Sequence, residues 1–518
     1  MRIRILILLW FWFLAGNQVF SQTSRGLAGT NSIERNFLHT HYQQAYAEMP
    51  SMLSLWKHSS WAFIEGQYTQ GKGAFRHPQK YRQTTGLTLS TESLYRLEKT
   101  QWTFYGKFDY GNKKADSVMH NLSYTLPDNG SPYYFLIKKA GSWNIQKYHF
   151  KVSASNQLPG RKLSLGFKLR YNSDLSYRKV DTRNAQTALT MSAVLSATYL
   201  IKPEQMFSIG FKIFRKKTEP SLHNKYQHST QDLTYNIYIN TGMGSYLKNI
   251  NSGITIRETQ PGISVQWVKD TERKYWSLHY QLDFGRESWE NRNINAVEVE
   301  NTISRYHYTR HALSLASIRY FPKAYLSSHL KLERLQGNGE TWNENIQTFL
   351  ENYLTRLNKA RLSSELYFPE AWITKVGLHL AYDATRNTDK NYGYKLQFST
   401  LTMETDIAFV QPVQDHKLSA TFKGGYRKNL HLMHNPYSAH ENLYTEWIAY
   451  PVMSYLTADG PDASICLGFE TPVQQKNILQ WEIQSIYRQA TRINSQHLAS
   501  IRKGDDFLQW YTRLRIYF

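Results

Sequence analysis

The sequence predicts an all-β fold, a transmembrane antiparallel up-and-down β-barrel, and three observations predict it. Aromatic residues are abundant although no long apolar run follows the first twenty residues. Segment after segment alternates apolar with polar side chains. The chain also stops on one such strand, at an aromatic residue, Phe518.

The composition comes first. The 518 residues include 37 Tyr, 24 Phe and 14 Trp, yet the hydrophobic fraction is 41% and the mean hydropathy −0.56. Without a long apolar run there is no candidate transmembrane helix in the body of the chain. A barrel in lipid needs only every second strand residue to be apolar, with Tyr and Trp gathered at both interfaces.

The alternation is explicit. Trp102, Phe104, Phe108 and Tyr110 share one face, against Thr103, Tyr105, Lys107 and Asp109. Leu163, Leu165, Phe167, Leu169 and Tyr171 alternate with Lys162, Ser164, Gly166, Lys168 and Arg170. Phe207 to Ile213, Leu233 to Ile239, Trp276 to Phe284 and Val376 to Tyr382 repeat the pattern. A soluble sandwich would alternate in the same way, so periodicity alone does not separate the two. Strand length, terminal aromatics and an export signal do. At the end of the chain Leu508, Trp510, Leu514, Ile516 and Phe518 share a face with Thr512. Gln509, Tyr511, Arg513, Arg515 and Tyr517 share the other. Trp510, Leu514, Ile516 and Phe518 are therefore expected to form the terminal strand that the outer-membrane barrel-assembly machinery recognises.

At the other end, Arg2 and Arg4 precede an apolar core from Ile5 to Ala15, and Val19-Phe20-Ser21 resembles a cleavage site. Residues 1–21 read as a secretory signal peptide, with the mature chain beginning near Gln22. No Cys follows the cleavage site, which excludes a lipid anchor there. Residues 22–58 are not strand-like. Asn31 and Glu34 fit a capping box, and Ile33, Phe37, His41 and Ala45 fall on one helical face before Pro50. This segment reads as a short helix that caps the barrel from the periplasm or enters it as a plug, or else as a loosely ordered tail. Residues 59–518 form the barrel. Roughly 25 residues per strand and connection give about 18 strands, with about 14 to 20 compatible.

Turn chemistry punctuates the strands at Asp128-Asn129-Gly130, Leu158-Pro159-Gly160, Gln336-Gly337-Asn338-Gly339 and Asp459-Gly460-Pro461. Thr218 to Asp232, Arg286 to Val297 and Lys428 to Glu441 read as loops outside the lipid. The single cysteine, Cys466, leaves no intramolecular disulfide and no Cys-based metal site.

The formal charge is +22. Lipid-facing cations are costly at mid-bilayer, so the excess belongs on loops or in the lumen. Export makes nucleic acid an unsuitable partner for this charge. Outer-membrane lipid and anionic lipopolysaccharide, or anionic solutes inside the barrel, fit better. Lys107, Lys162, Lys168, Arg170, Lys212, Arg513 and Arg515 are the expected inward cations. Facing open water they would favour anions. Paired with Asp109, Asp283, Glu333, Asp383 and Glu482 they would instead close the lumen with salt bridges.

Pro132-Tyr133-Tyr134, Gly141-Ser142-Trp143 leading to Tyr148, the run Leu165 to Tyr171, and Asp181-Thr182-Arg183-Asn184 resemble a family of uncharacterised bacterial outer-membrane β-barrels often encoded near TonB-dependent receptors. The motifs cover about a tenth of the chain. Lys138-Lys139-Ala140 and Thr182 depart from the family pattern. The resemblance implies the barrel fold, the outer membrane, and a TonB-dependent receptor as a candidate partner. It implies no catalytic residue and no cofactor.

No other chemistry competes strongly. His39 and His41 would point apart on a helix. His431, His434 and His440 lie in an expected loop, and three converging ligands would be needed for a transition metal. Tyr306-His307-Tyr308 with Arg310 and His311 could stack on a sugar or anion, but a strand near an aromatic girdle explains them. Ser277, His279 and Asp283 share a strand face, as alternation produces by chance, and no nucleophile or metalloprotease motif is present. The sequence therefore favours a non-enzymatic barrel, a channel or transport component for small polar or anionic solutes. A closed accessory barrel beside another envelope protein is the alternative, and an outer-membrane hydrolase a remote one.

Overall fold

The computed structural model describes Tyr46, residues 48–56, and residues 60–518 except 98, 124–125, 161, 224–235, 244–245, 249–252, 293–301, 344, 436–444, 475–476 and 494–500. The expected signal peptide and capping box, with His39, His41 and His440, fall outside the described residues.

Eighteen long antiparallel strands close on themselves. In chain order they are β1 (Trp61–Gly73), β2 (Gln83–Leu97), β3 (Trp102–Val118), β4 (Gly141–Gln157), β5 (Leu163–Arg178), β6 (Arg183–Lys202), β7 (Gln205–His223), β8 (Gly253–Asp270) and β9 (Lys274–Arg292). They continue as β10 (Thr302–Phe321), β11 (Ala324–Asn343), β12 (Thr348–Tyr367), β13 (Ile373–Asp389), β14 (Tyr394–Val413), β15 (His416–Asn435), β16 (Ala458–Gln474), β17 (Asn477–Gln489) and β18 (Asp506–Tyr517). Each strand pairs with its sequence neighbours, and β1 also pairs with β18, which makes the sheet a barrel without edges.

The seam is well furnished. Glu65 of β1 stands opposite Arg515 of β18, and Arg515 Nε donates to Glu65 Oε2 at 2.7 Å. Arg513 adds a contact to Glu482 at 3.2 Å. The Phe518 amide donates to the Ala62 carbonyl at 3.0 Å, extending the ladder by one bond. Trp510, Leu514 and Ile516 lie on the outer face of β18, and Trp510 packs on Tyr68 with ring centroids 5.4 Å apart.

Successive residues face alternately outward and inward. Leu89, Phe108, Leu165, Phe167, Leu195, Phe211, Ile213 and Leu514 are among the large apolar side chains left exposed on the outside. A protein facing water on that surface would present an apolar area far beyond an ordinary patch, so this is a lipid-facing belt. Trp102, Tyr199, Trp267, Trp276, Tyr320, Trp372 and Trp481 ring the end where the strands are joined by short turns. That turn end also holds Trp61 and Tyr517. The opposite, loop end carries the longer connections, of which 119–140, 224–252 and 436–457 are the longest.

The strands run farther toward the loop end than the sequence reading allows. Thr218–His223, Arg286–Arg292 and Lys428–Asn435 are strand, not loop. Two turn assignments are also corrected. Gly337 and Gly339 lie inside β11, and Gly460 and Pro461 inside β16. A Cβ at Gly337 would lie 2.1 Å from the Tyr306 hydroxyl and one at Gly339 2.8 Å from the Tyr133 hydroxyl. These glycines make room for tyrosines pressed against the wall. Leu158-Pro159-Gly160 does turn the chain, with Gly160 at φ +65°.

Candidate functional site: a chamber between two closures

The turn end is closed from inside. Pro50–Leu55 forms a 3-10 helix, with Pro at its start, and Met49, Met52, Leu53 and Trp56 are buried with Tyr46. They pack against inward residues from much of the wall: Trp61, Phe63, Leu94, Tyr105, Met206, Val268, Tyr275, Ile318, Tyr325, Tyr367 and Tyr517. The helix expected before Pro50 lies outside the described residues, and the described part, Tyr46 and residues 48–56, sits inside the turn end with a helix that begins at Pro50.

The plug docks on a strip of small and hydroxylated residues on β4 to β7. The Ser51 amide donates to Ser196 Oγ at 2.8 Å, and the Ser51 hydroxyl meets that of Thr198 at 2.7 Å. Ser164 Oγ donates to the Ser51 carbonyl at 2.6 Å and meets Ser54 Oγ at 2.7 Å. Gly166 lies so close that an added Cβ would stand 2.1 Å from the Ser51 nitrogen. Nothing local in the sequence ties the Ser and Gly residues of β5 and β7 to residues 50–55.

The loop end is closed by three connections. Tyr134–Leu136, Tyr238–Asn240 and Tyr246–Lys248 form a small antiparallel sheet inside the barrel mouth, with Tyr238–Asn240 in the middle. The alternation at Leu233 to Ile239 therefore does not mark a lipid-facing strand. Leu233 and Tyr235 are outside the described residues, and Ile237, Tyr238 and Ile239 are all buried. One face of the small sheet, with Phe135, Ile137 and Ile239, packs on Trp289, Tyr306, Tyr308 and Leu335. The other, with Tyr134, Leu136 and Tyr238, packs on Tyr353, Tyr394, Trp447 and Met453. Trp447 and Met453 come from a π-helical turn, Thr445–Ala449, and the helix Tyr450–Leu456.

Polar bonds lock this lid. Glu258 and Glu287 are buried and stand opposite each other on β8 and β9. Asn129 Nδ2 donates to both, at 3.2 and 2.8 Å. Ser131 Oγ and Trp289 Nε1 each donate to Glu287 at 2.8 Å, and Tyr308 donates to Glu258 at 2.6 Å. Gly130, at φ +80°, makes the turn that presents Asn129 and Ser131. The Tyr306 hydroxyl donates to the Asn129 carbonyl at 3.0 Å. Tyr306 and Tyr308 thus serve the lid rather than an aromatic girdle.

Between the closures the lumen is polar and heavily ion-paired. Lys107 lies 3.3 Å from Glu92 and 3.7 Å from Asp109. Lys212 bonds Asp283 at 3.0 Å, Lys331 meets Glu333 at 2.7 Å, and Arg361 donates to both oxygens of Asp383 at 2.7 Å. Lys168 is buried and reaches Glu48 of the plug at 3.2 Å. Arg170 faces the chamber, and Arg513 and Arg515 serve the β1–β18 seam. Lys162 is placed differently from the other six cations: it is exposed, in the turn before β5, outside the lumen. Cavities lined by described residues include one of about 560 Å³ beside Glu48, Lys168, Arg170 and His279, and another of about 570 Å³ beside Arg76, Arg361, Asp383 and Arg427.

Ser277, His279 and Asp283 face inward together but are not bonded as a triad. Gln266 donates to Ser277 at 2.9 Å, and Asp283 accepts from Lys212 and Gln281. His434 is engaged with Tyr394 and His431 is exposed. Glu365, His379 and Asp406 bring donor atoms within 4.8 Å of one another, but Lys375 stands among them, 3.1 Å from Glu365. An ammonium already balances those carboxylates. Cys466 is a free thiol on β16.

Fold and lumen define a transmembrane β-barrel, closed at both ends by its own chain. It belongs to a family of unknown function (DUF6850), which matches residues 50–518 and so includes the plug helix. A comparison with curated proteins finds no match. Similar solved structures include the ferric-catecholate import receptor Fiu of E. coli K12 (8% identity, TM-score 0.39, 89% of this chain and 82% of that one). They also include the ferric preacinetobactin receptor BauA of Acinetobacter baumannii (8%, 0.40, 89% and 80%). A third is the ferric yersiniabactin uptake receptor FyuA of Yersinia pestis (8%, 0.42, 89% and 80%).

Proposed function

We propose that this protein is a bacterial outer-membrane barrel that admits small polar or anionic solutes to an internal chamber and releases them only when an end closure moves. The observation that carries the reading is the bracketing of a polar, charged lumen by two apolar layers. A barrel sealed for stability alone would gain more from an apolar interior, because buried ion pairs barely repay their desolvation. A polar lumen retained behind removable closures suits intermittent passage. The turn end would face the periplasm and the loop end the exterior.

The test is conductance of the full chain in a planar bilayer across a salt gradient. The intact protein should be silent, and a variant lacking both residues 22–58 and the lid segments 128–137, 236–248 and 445–456 should conduct with anion preference. Steady conductance of the intact chain, or cation preference of the deletion, would overturn the reading. The many lumen ion pairs favour a second reading, a closed accessory barrel for another envelope protein. A silent deletion variant that recovers an envelope partner on crosslinking would decide for it.

A further inference from the structure

The wall above the plug carries a row of like charges. Lys107 of β3 stands directly opposite Lys151 of β4, which stands directly opposite Arg170 of β5. Lys168, one inward position nearer the plug, is buried. Directly opposed like charges destabilise a sheet, and a buried ammonium costs several kcal/mol without a partner. Lys107 is answered by Glu92 and Asp109, as given above. Lys151 stands over the Tyr105 ring, 4.9 Å from its centroid, and for Lys168 and Arg170 the plug supplies the answer. Lys168 Nζ donates to the Glu48 carbonyl and to its carboxylate, both at 3.2 Å. Lys168 beside it, with Lys151 and Arg170 farther off, holds the Glu48 carboxyl well below the usual carboxylate range. That carboxylate is half-exposed, and it looks into the 560 Å³ cavity that Arg170 and Lys212 also line.

We propose that Lys151, Lys168 and Arg170 form a binding site for a small multivalent oxyanion, and that Glu48 fills it as a tethered substitute while the plug is seated. Lys168 and Arg170 line the cavity with that one carboxylate between them, and Lys151 stands next to Arg170 on the wall, so an anion carrying more than one charge fits the site better than Glu48 does. Arg170 offers a guanidinium fork and the lysines rotatable ammonium donors, a set that selects oxygen anions over halide. The cavity is within the size range of small-molecule sites. Ligand and plug then compete: an anion on the three cations releases Glu48, and seating of Glu48 expels the anion, with equal coupling in both directions. This rests on the plug being a removable closure, as proposed above, and it names the ligand class and the event that loosens it.

The experiment is titration calorimetry of the full chain in detergent at low ionic strength. The probes are succinate and inorganic phosphate, with chloride as control. The Glu48→Gln variant should bind at least one oxyanion tenfold or more tighter than the parent, and Arg170→Gln should bind it tenfold or more weaker. Preference for succinate would assign the ligand to carboxylates, and preference for phosphate to phosphates. Equal affinity in the parent and Glu48→Gln, or chloride binding as well as either oxyanion, would overturn the proposal. Saturating oxyanion should also speed hydrogen exchange of the Ser51 and Leu53 amides in the parent, and unchanged exchange would overturn the competition. The assay requires no conduction. A silent variant lacking both closures, with tight binding by Glu48→Gln, would sink only the transport reading, and conduction by that variant without any oxyanion binding would sink only this one.

Discussion

Gly166→Val is the most direct test of how the plug is held. The Cβ it adds would lie 2.1 Å from the Ser51 nitrogen and 2.3 Å from the Pro50 carbonyl carbon, both backbone atoms that cannot rotate away. The helix must shift off the strip. Doing so strains its bonds to Ser196, Thr198 and Ser164, each contributing about 1 kcal/mol net. Overpacking alone costs about 1–3 kcal/mol. Release of the plug should therefore become easier by about 3 kcal/mol, or about a hundredfold in its equilibrium. The assay is hydrogen exchange of the Ser51 and Leu53 amides, read by mass spectrometry on protein that still migrates as a folded barrel without heating. A matched control is Gly424→Val, because a Cβ at Gly424 meets nothing within 4 Å. Protection that agrees in the two variants within about threefold would refute the docking argument.

Three other perturbations probe other parts of the barrel. Glu65→Ala should leave Arg515 at the seam without its carboxylate and cost about 3–5 kcal/mol in urea unfolding followed by tryptophan fluorescence. A loss below about 1 kcal/mol would show that the pair does not hold the seam. Gly337→Val should push the Tyr306 ring off β11 and unseat Asn129, raising exchange at Ser131 while sparing Ser51. Equal protection at Ser131 would argue against a lid locked through Tyr306. Burial pushes His120 down to about 4 and His77 to about 3, both in loop-end connections and both below the ordinary value of 6.5. The released loops take up protons that the seated loops refuse. Lid stability is therefore full above about pH 6.5 and falls as pH drops toward 4. Exchange of the Tyr238 and Ile239 amides should rise over that window, and a His77→Gln, His120→Gln double variant should flatten the rise. An unchanged slope in the double variant would rule these histidines out as its source.

The barrel was legible because lipid reads only one face of each strand. Leu163 to Tyr171 shows this plainly: its odd residues face outward and its even residues face the lumen or the plug. Strand number followed from chain length for the same reason, since each strand and turn consumes a similar stretch. The closures were much less legible. Ile237 and Ile239 keep the two-residue rhythm of a lipid-facing strand but lie inside the mouth, where both faces meet protein. Glycine signals misled at Gln336 to Gly339 because a ring pressing on the wall and a turn call for the same residue. The acids Asp109, Asp283, Glu333, Asp383 and Glu482 all lie beside inward cations, yet which acid meets which cation depends on register across strands, which spacing along one strand does not carry. Glu48 gave no signal at all. Its importance arises only where residues 120 positions apart come together.

The strand lengths have one more consequence. A 20-residue strand such as β10 or β12, rising about 3.3 Å per residue and tilted about 45°, spans roughly 45 Å, against an apolar band of about 25 Å. The surplus lies toward the loop end, so the wall stands out of the bilayer there like a collar with the small sheet seated within it. With the turn end toward the periplasm, as proposed above, the two closures belong to different compartments. In that orientation acid, protease or a macromolecule outside the cell would reach the collar and its contents, while the plug would be open only to agents in the periplasm. An airlock worked from both sides needs that separation, because neither door can be forced by whatever opens the other.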